Sequence, residues 1–204
     1  MTREADKSTA SSRSNARRSG FSVPRWRALV AGLSAKPPSR GTVVWVLRIF
    51  GVGLGYALLA ALGEVMNTAP AEASPIWPAA GFALGATLLM GYRVLAGVAL
   101  AVVAQEWLRF GVAPGAAILG AVASVAGPAV GAWLVHRKIG VSAVFADVPN
   151  TLRFLAFGGL FTPAVSALLG GPAMQTFPDP IPNGVLARTA VWWVGDAIGV
   201  VTVT

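Results

Sequence analysis

Long apolar stretches with very few charges constrain the fold of this chain more than any other feature. The first runs from about Val43 to Gly63, and Arg48 is its only charged residue. A helix of about 18 or more such residues can cross the roughly 30 Å hydrocarbon core of a bilayer. Hydrophobic residues make up 55% of the chain and charged residues only 12%, about half the charged fraction of a soluble domain. The sequence therefore predicts an integral membrane protein.

The apolar stretches predict an all-α transmembrane bundle of about six spans, because helices satisfy their own backbone polar groups in lipid. After the first span, the predicted spans are about Ile76–Met90, Val94–Phe110, Gly115–Val135, Leu152–Gly170 and a last one from Val185. A tight hairpin at Gly91-Tyr92-Arg93 is expected between the second and third spans, since one continuous helix would be about 50 Å long. Asn150 or Thr151 is predicted to cap the fifth span.

Basic residues are concentrated before the first span. Between Met1 and Thr42, nine basic residues stand against two acidic ones, which accounts for seven of the eight formal positive charges. This Ser-rich segment lacks an apolar stripe, so residues 1–42 are predicted to be a disordered cytoplasmic tail. Beside a membrane span, such a tail is expected to attract anionic lipid heads rather than nucleic acid. A cleaved transit peptide is the alternative, although that would normally be amphipathic.

The remaining charges give the membrane domain, residues 43–204, an orientation. Predicted inward loops are basic and predicted outward loops are acidic: Arg93, Arg137 and Lys138 against Glu64, Glu72 and Asp179. This asymmetry follows the positive-inside rule and predicts that both termini are cytoplasmic. Trp77 is then expected near the outer edge, as part of an aromatic belt.

Pairs of glycines one helical turn apart indicate where helices meet. Gly81 with Gly85, and Gly195 with Gly199, are the candidate packing positions, and Gly51 with Gly55 and Gly127 with Gly131 repeat the spacing. Such faces let helix backbones approach closely in lipid. With 24 glycines in the chain, chance spacing is the alternative explanation.

Asp196 is the leading candidate for a functional residue. It lies eight residues beyond Arg188, about 12 Å along a helix, so it falls within the predicted last span. A carboxylate at the bilayer centre costs about 2.5–3.5 kcal/mol, and such residues usually face a partner or a cavity. On a helix Trp192 shares the stripe of Asp196, while Trp193 points to a neighbouring face. The alternative is an aspartate that only links helices by hydrogen bonding.

Glu106 is a weaker candidate for a signal-binding or coupling role. It precedes Arg109 by three residues, a spacing at which an ion pair near the end of a span is expected. The chain has no cysteine and a single histidine, His136, which excludes a thiolate or multi-histidine metal site. No nucleophile–base or phosphate-loop motif is present. The sequence therefore predicts no metal, no cofactor and no enzyme active site.

Two tryptophan motifs resemble those of a known family. The stretch Ile76–Ala101 contains Trp77-Pro78-x-x-Gly81, and the stretch Trp192–Thr204 contains Trp192-Trp193-x-Gly195-Asp196-x-x-Gly199. Their order, with Asp147–Leu155 between them, is similar to the bacterial membrane-associated sensor domain of the first type, in the group abbreviated MASE. The resemblance covers about Val43 to Thr204. Because family members generally continue for about two more spans, we expect a chain truncated at its C-terminus.

The resemblance implies a multi-pass sensor in the bacterial inner membrane. Family members control a C-terminal cytoplasmic output domain, a diguanylate cyclase or phosphodiesterase of cyclic di-GMP signalling, or a histidine kinase. The candidate signal-binding or coupling residues are then Asp196, Trp192, Trp193, Glu106 and Trp77. A small-molecule signal and a second copy of the chain are the expected partners, besides the bilayer. The alternatives are a small transporter or channel that uses intramembrane acids, and a tether for another protein.

Overall fold

The computed structural model describes residues 40–66, 74–109, 111–173 and 184–204, and the regular structure in these ranges is entirely helical. Residues 1–39 of the predicted basic tail lie outside the described residues. The described residues form six helices in chain order: α1 (Arg40–Val65), α2 (Pro78–Met90), α3 (Leu95–Ala104, continued by a π-helical turn Gln105–Arg109), α4 (Pro114–Lys138), α5 (Val148–Phe154, π-helical Leu155–Phe161, then Thr162–Ala173) and α6 (Gly184–Val203). The predicted all-α class is confirmed.

Four of the helices are long and apolar enough to cross a bilayer: Gly41–Val65, Pro114–Lys138, Val148–Pro172 and Gly184–Val203. The other two are shorter, since α2 has 13 residues and the α-helical part of α3 has 10. The multi-span membrane bundle is therefore confirmed, while the count of six spans and the side on which each terminus lies stay predictions.

The chain turns between α2 and α3 at Gly91, where the hairpin is predicted. Gly91 has a φ of 84° and donates its N–H to the Thr87 carbonyl at 2.9 Å, which closes α2. A single 3₁₀ turn, Tyr92–Val94, leads into α3. Glycine fits this position because a positive φ is strained for residues with a Cβ. Beyond the turn, α3 packs mainly on α1 and α4.

The start of α5 differs from the prediction. Asp147, not Asn150 or Thr151, is the N-cap, and its Oδ1 accepts a hydrogen bond from the Asn150 N–H at 2.7 Å. The helix can begin this early because Pro149 lies in its first turn, where a missing N–H costs nothing. Thr151 instead donates from its hydroxyl to the carbonyls of Val144 and Asp147.

A π-helical segment in the middle of α5 precedes a buried proline. Pro163 has no N–H to offer the Gly159 carbonyl, and its ring would clash there in a regular α-helix. The chain widens over Leu155–Phe161 instead, and the Phe157 carbonyl accepts both the N–H and the hydroxyl of Thr162. Such π segments are common at functional sites, and this one places Thr162 and Pro163 in the interior of the bundle.

The closest helix contact joins α6 to α2 and to the segment before it. A Cβ on Gly199 would collide with the Trp77 carbonyl, one on Gly195 with the Ser74 carbonyl, and one on Gly81 with the Gly199 carbonyl. Gly85 is looser, since its Cβ would meet the Thr204 methyl at 3.6 Å. Thr204 also donates its hydroxyl to the Gly81 carbonyl at 2.8 Å. These backbones can touch only because side chains are missing.

Glycines also line the contacts of the other helices. On α4, a Cβ on Gly127 would strike Ser166 of α5, and one on Gly131 would strike Thr162. Between α1 and α3, a Cβ on Gly53 would lie 2.9 Å from the Gly97 carbonyl oxygen. Gly51 has open space around its Cβ position, so the spacing Gly51–Gly55 does not mark a single packed face.

Gly199→Ala is expected to destabilise the protein by about 1–3 kcal/mol, because the methyl group would overpack a backbone contact. Gly51→Ala is the matched control, and we expect no loss there because the added methyl group meets open space. Thermal melting of the detergent-solubilised variants measures both effects. Equal melting temperatures for Gly199→Ala and the parent protein would contradict the α6–α2 contact.

Candidate functional site

Asp196 lies in the interior of the bundle, with only 4% of its surface exposed. Its Oδ2 accepts a hydrogen bond from the indole Nε1 of Trp192 at 3.1 Å, across one turn of α6. Its Oδ1 is buried and has no hydrogen-bond partner among the described residues. A buried polar atom without a partner costs free energy, so the carboxyl group has one satisfied oxygen and one that can take a ligand.

A small cavity lies beside Asp196 and is built from five parts of the chain. The lining residues are Tyr56 of α1, Trp77 and Ala80 at the start of α2, Ser124 and Pro128 of α4, Thr162, Pro163 and Ser166 of α5, and Trp192, Asp196 and Val200 of α6. Its volume of about 10 Å³ is close to the minimum that one water molecule needs. The lining carries hydroxyl, indole and carboxyl groups, so a water-sized species there would have several polar partners.

Trp77 connects the α2 side of this cavity directly to α6. Its backbone N–H donates to the Gly195 carbonyl at 3.0 Å, and its own carbonyl lies against Gly199. Pro78 follows at the first turn of α2, where its missing N–H is tolerated. Trp77 therefore lines the same cavity as Asp196 and Trp192. Its place in an outer aromatic belt stays a prediction.

Tyr56 is one member of the site that was not predicted from the sequence. It is 3% exposed, and its hydroxyl interacts with the side chains of Ser124 and Trp77. It lines the same cavity as Asp196. A tyrosine within an apolar span is the one signal that could have suggested it, because buried tyrosine hydroxyls usually need a hydrogen-bond partner.

Ser124 and Ser166 were also missed, and they complete the polar lining. Neither stands out in the sequence, because small hydroxyl residues are frequent at helix contacts in membranes. Ser166 follows Thr162 by one turn on α5, and both pack on glycines of α4. Their spacing of four residues on the cavity side becomes meaningful only when the neighbouring helix is known.

Trp193 faces away from the cavity, as its place on the helix predicts. Its indole Nε1 donates to the Leu160 carbonyl in the π-helical part of α5 at 3.0 Å, and the side chain is 37% exposed. It therefore joins α6 to α5 near lipid and does not contact the polar lining. The ring of Trp192, in contrast, packs on Gly170 of α5.

Glu106 is separate from the cavity. It lies on the π-helical turn that ends α3, its carboxyl group rests against Gly120 of α4, and its Oε2 is buried without a hydrogen-bond partner among the described residues. The Arg109 side chain, with which an ion pair is predicted, lies outside the described residues. In the described part of the chain, no three His, Cys, Asp or Glu side chains come together as metal ligands.

Comparison with known proteins adds one match. The family model MASE1 matches residues 46–204. The chain belongs to the MASE1 family. No curated protein and no solved structure matches it. The resemblance predicted from the two tryptophan motifs is therefore confirmed, and in this MASE1 domain those motifs contact each other through Trp77 and Gly195.

Family membership makes this region a membrane sensor domain that is not itself catalytic. The described structure agrees with a membrane location, since four helices have the required length and apolarity. In this MASE1 domain, Asp196, Trp192 and Trp77 meet at one cavity, whereas Trp193 and Glu106 lie elsewhere.

Trp192→Phe is expected to destabilise the protein by about 1–3 kcal/mol, because both Asp196 oxygens would then be buried without the indole donor. Trp193→Phe removes the same group from a more exposed hydrogen bond, and we expect a loss of about 1 kcal/mol or less. Chemical or thermal unfolding in detergent compares the two. Equal losses would show that the buried Trp192–Asp196 bond has no special weight.

Proposed function

We propose that the domain senses a signal through the polar cavity at Asp196 and passes it to an output domain as a change in the packing of α6. The observation that carries this proposal is the free Oδ1 of Asp196, buried at a cavity and facing no described partner. Intramembrane acids are costly and usually functional. A signal that adds or removes a partner for this oxygen therefore has a large effect on local packing.

The contact between α6 and the Trp77 segment supports transmission. The backbone N–H of Trp77 donates a hydrogen bond to the Gly195 carbonyl, and Asp196 is the residue after Gly195 on α6. A change in hydrogen bonding at Asp196 thus acts next to a rigid backbone contact. Rigid elements with discrete packing arrangements are what carry coupling between distant sites. The shift of α6 relative to α2 is the proposed output of the domain.

The output domain is proposed from the family. MASE1 domains are typically linked to cyclic di-GMP or kinase output domains. We propose that α6 leads, in the full signalling protein, to a diguanylate cyclase or phosphodiesterase, or to a histidine kinase, on the cytoplasmic side of a bacterial inner membrane. The signal is a small species that acts on the Asp196 carboxyl group.

The size of the cavity favours sensing over transport. The cavity, lined by residues that include Trp77, Trp192 and Pro163, has room for about one water molecule. This size suits a binding site with two states, occupied or empty. A transporter would need the same acid to be reached from both sides of the membrane in turn. A sensor and a transporter predict different results for the substitution Asp196→Asn, and the measurements below distinguish them.

Asp196→Asn is expected to lock the output of a diguanylate cyclase fused after Thr204, because the amide changes the hydrogen bonding at the cavity at nearly constant volume. The measurement is cyclic di-GMP in cells carrying the parent or variant fusion, across a panel of growth conditions. We expect the parent to vary with conditions and the variant to vary at least about fivefold less, the size of a coupling free energy of about 1 kcal/mol.

Glu106→Gln is the matched control, since it neutralises an intramembrane acid that does not line the cavity. It should keep the response of the parent. An unchanged response in Asp196→Asn would contradict the sensor site. Solute or ion flux into proteoliposomes that Asp196→Asn abolishes would support a transporter instead.

A further inference from the structure

A second site lies between α1 and α3 and shares no lining residue with the Asp196 cavity. At one end of it, two arginine side chains contact one tryptophan ring. The guanidinium carbon of Arg48 and that of Arg93 each lie 5.2 Å from the centre of the Trp45 ring. Arg48 follows Trp45 on α1, whereas Arg93 belongs to the turn before α3. The two positive charges therefore come from different helices and converge on one ring.

The two guanidinium groups form a cation-rich point with no acid of their own helices near. Glu64 lies 16 residues beyond Arg48, about 24 Å along the helix axis, and Glu106 lies 13 residues beyond Arg93, about 20 Å away. Both arginines are exposed, and since each guanidinium carbon lies 5.2 Å from the same ring centre, the two carbons are no more than twice that distance apart. Like charges at such a separation repel each other. A phosphate group bound by both would offset the repulsion, because guanidinium groups bind phosphate oxygens with paired hydrogen bonds.

An apolar groove runs along the same two helices, and its first residues lie within about one helical turn of the two arginines in the sequence. Its volume is about 470 Å³, and it is lined from α1 by residues that include Ile49, Gly53 and Ala57, and from α3 by Gly97 and Ala101. Ile49 directly follows Arg48, and Gly97 is one turn past Arg93. The groove exists because Gly53 and Gly97 bring the helices together without side chains to fill the surface above them.

The groove has the dimensions of part of an acyl chain. From Ile49 to Ala57 the helix rises about 12 Å, and the volume is within the range of about 300–1,000 Å³ typical of ligand sites. α1 and α3 run parallel here, since Gly97 touches Ile49 and both segments of the groove continue away from the arginines. The polar end and the apolar end are thus in the order of a phospholipid at a membrane surface.

We propose that Trp45, Arg48 and Arg93 bind the phosphate of an anionic phospholipid, whose acyl chain occupies the groove between α1 and α3. The choice of an anionic lipid follows from the two cations, because a zwitterionic head brings its own positive charge to the same place. Tryptophan is the residue that favours the membrane interface. This site shares no residue with the sensing cavity, and its three residues follow the predicted basic tail in the sequence.

Native mass spectrometry of the full chain, released from mixed phosphatidylglycerol and phosphatidylethanolamine vesicles, tests the proposal. The parent should retain phosphatidylglycerol preferentially. The double variant Arg48→Gln/Arg93→Gln should lose about 25-fold in relative affinity, about fivefold for each arginine near an anionic surface. Arg137→Gln is the matched control, because Arg137 also stacks on a tryptophan, Trp133, at 5.9 Å but borders no such groove. It should keep the preference.

Ala104→Phe tests the groove separately, since Ala104 lines it seven residues beyond Gly97. The added ring should weaken retention of long-chain phosphatidylglycerol and leave a short-chain form unaffected. Free glycerol phosphate should compete poorly with the lipid. Preference retained in the double variant, an equal loss in Arg137→Gln, or competition by glycerol phosphate as strong as by the lipid would each overturn the proposal. Thermal melting confirms that the variants are folded.

Discussion

The contact between the backbone of α6 and the segment around Trp77 is the constraint on which the rest of the structure depends. In lipid, apolar surface gives little reason for helices to associate, so close packing and hydrogen bonds must do it. Gly195 and Gly199 expose the α6 backbone, and the carbonyls of Ser74 and Trp77 lie directly against them. A side chain at either glycine would separate α6 from α2 and open the cavity that both helices enclose.

That contact also explains how a carboxyl group is kept in the interior. Asp196 lies between Gly195 and Gly199 on the helix, on the side that faces the bundle. Trp192 supplies a donor from one turn earlier on the same helix. The hydroxyl of Tyr56 and the rest of the polar lining come from other helices. The carboxyl group is thus partly satisfied by its own helix and partly dependent on how the bundle closes.

The features that could be predicted from the sequence are those set by local composition. The length of the apolar stretches predicted the helical bundle, and the position of Asp196 deep within the last stretch predicted its burial. The consecutive positions of Trp192 and Trp193 predicted that their side chains point to different faces of α6, because helical periodicity is fixed. The glycines at 195 and 199 were recognisable as a packing face, although their partner was not. Each of these depends on residues within about one or two turns of each other.

The features that could not be predicted depend on other helices. Pro163 accounts for an interruption in α5, but the contact of Thr162 with Gly131 of α4 involves a neighbouring helix and cannot be read from the sequence of α5. The cap of α5 is an exception, because it is local: the prediction placed it too late, and a proline in the first turn allows the helix to start at Asp147. Tyr56, Ser124 and Ser166 are ordinary residues of three separate helices, and nothing in their spacing says that they meet.

Helix α1 contributes residues both to the Asp196 cavity and to the proposed lipid site. Val52, Tyr56 and Ala60 recur every four residues and are buried, while Phe50, Leu54 and Leu58 are more than half exposed. One stripe of α1 therefore closes the cavity with Tyr56, and the surface beside it faces acyl chains. The helix packs mainly on α2 and α3, so the rest of its surface faces outward from the described bundle. The buried stripe of α1 thus closes the Asp196 cavity, while Phe50 and Leu54 on its outward surface line the proposed lipid groove.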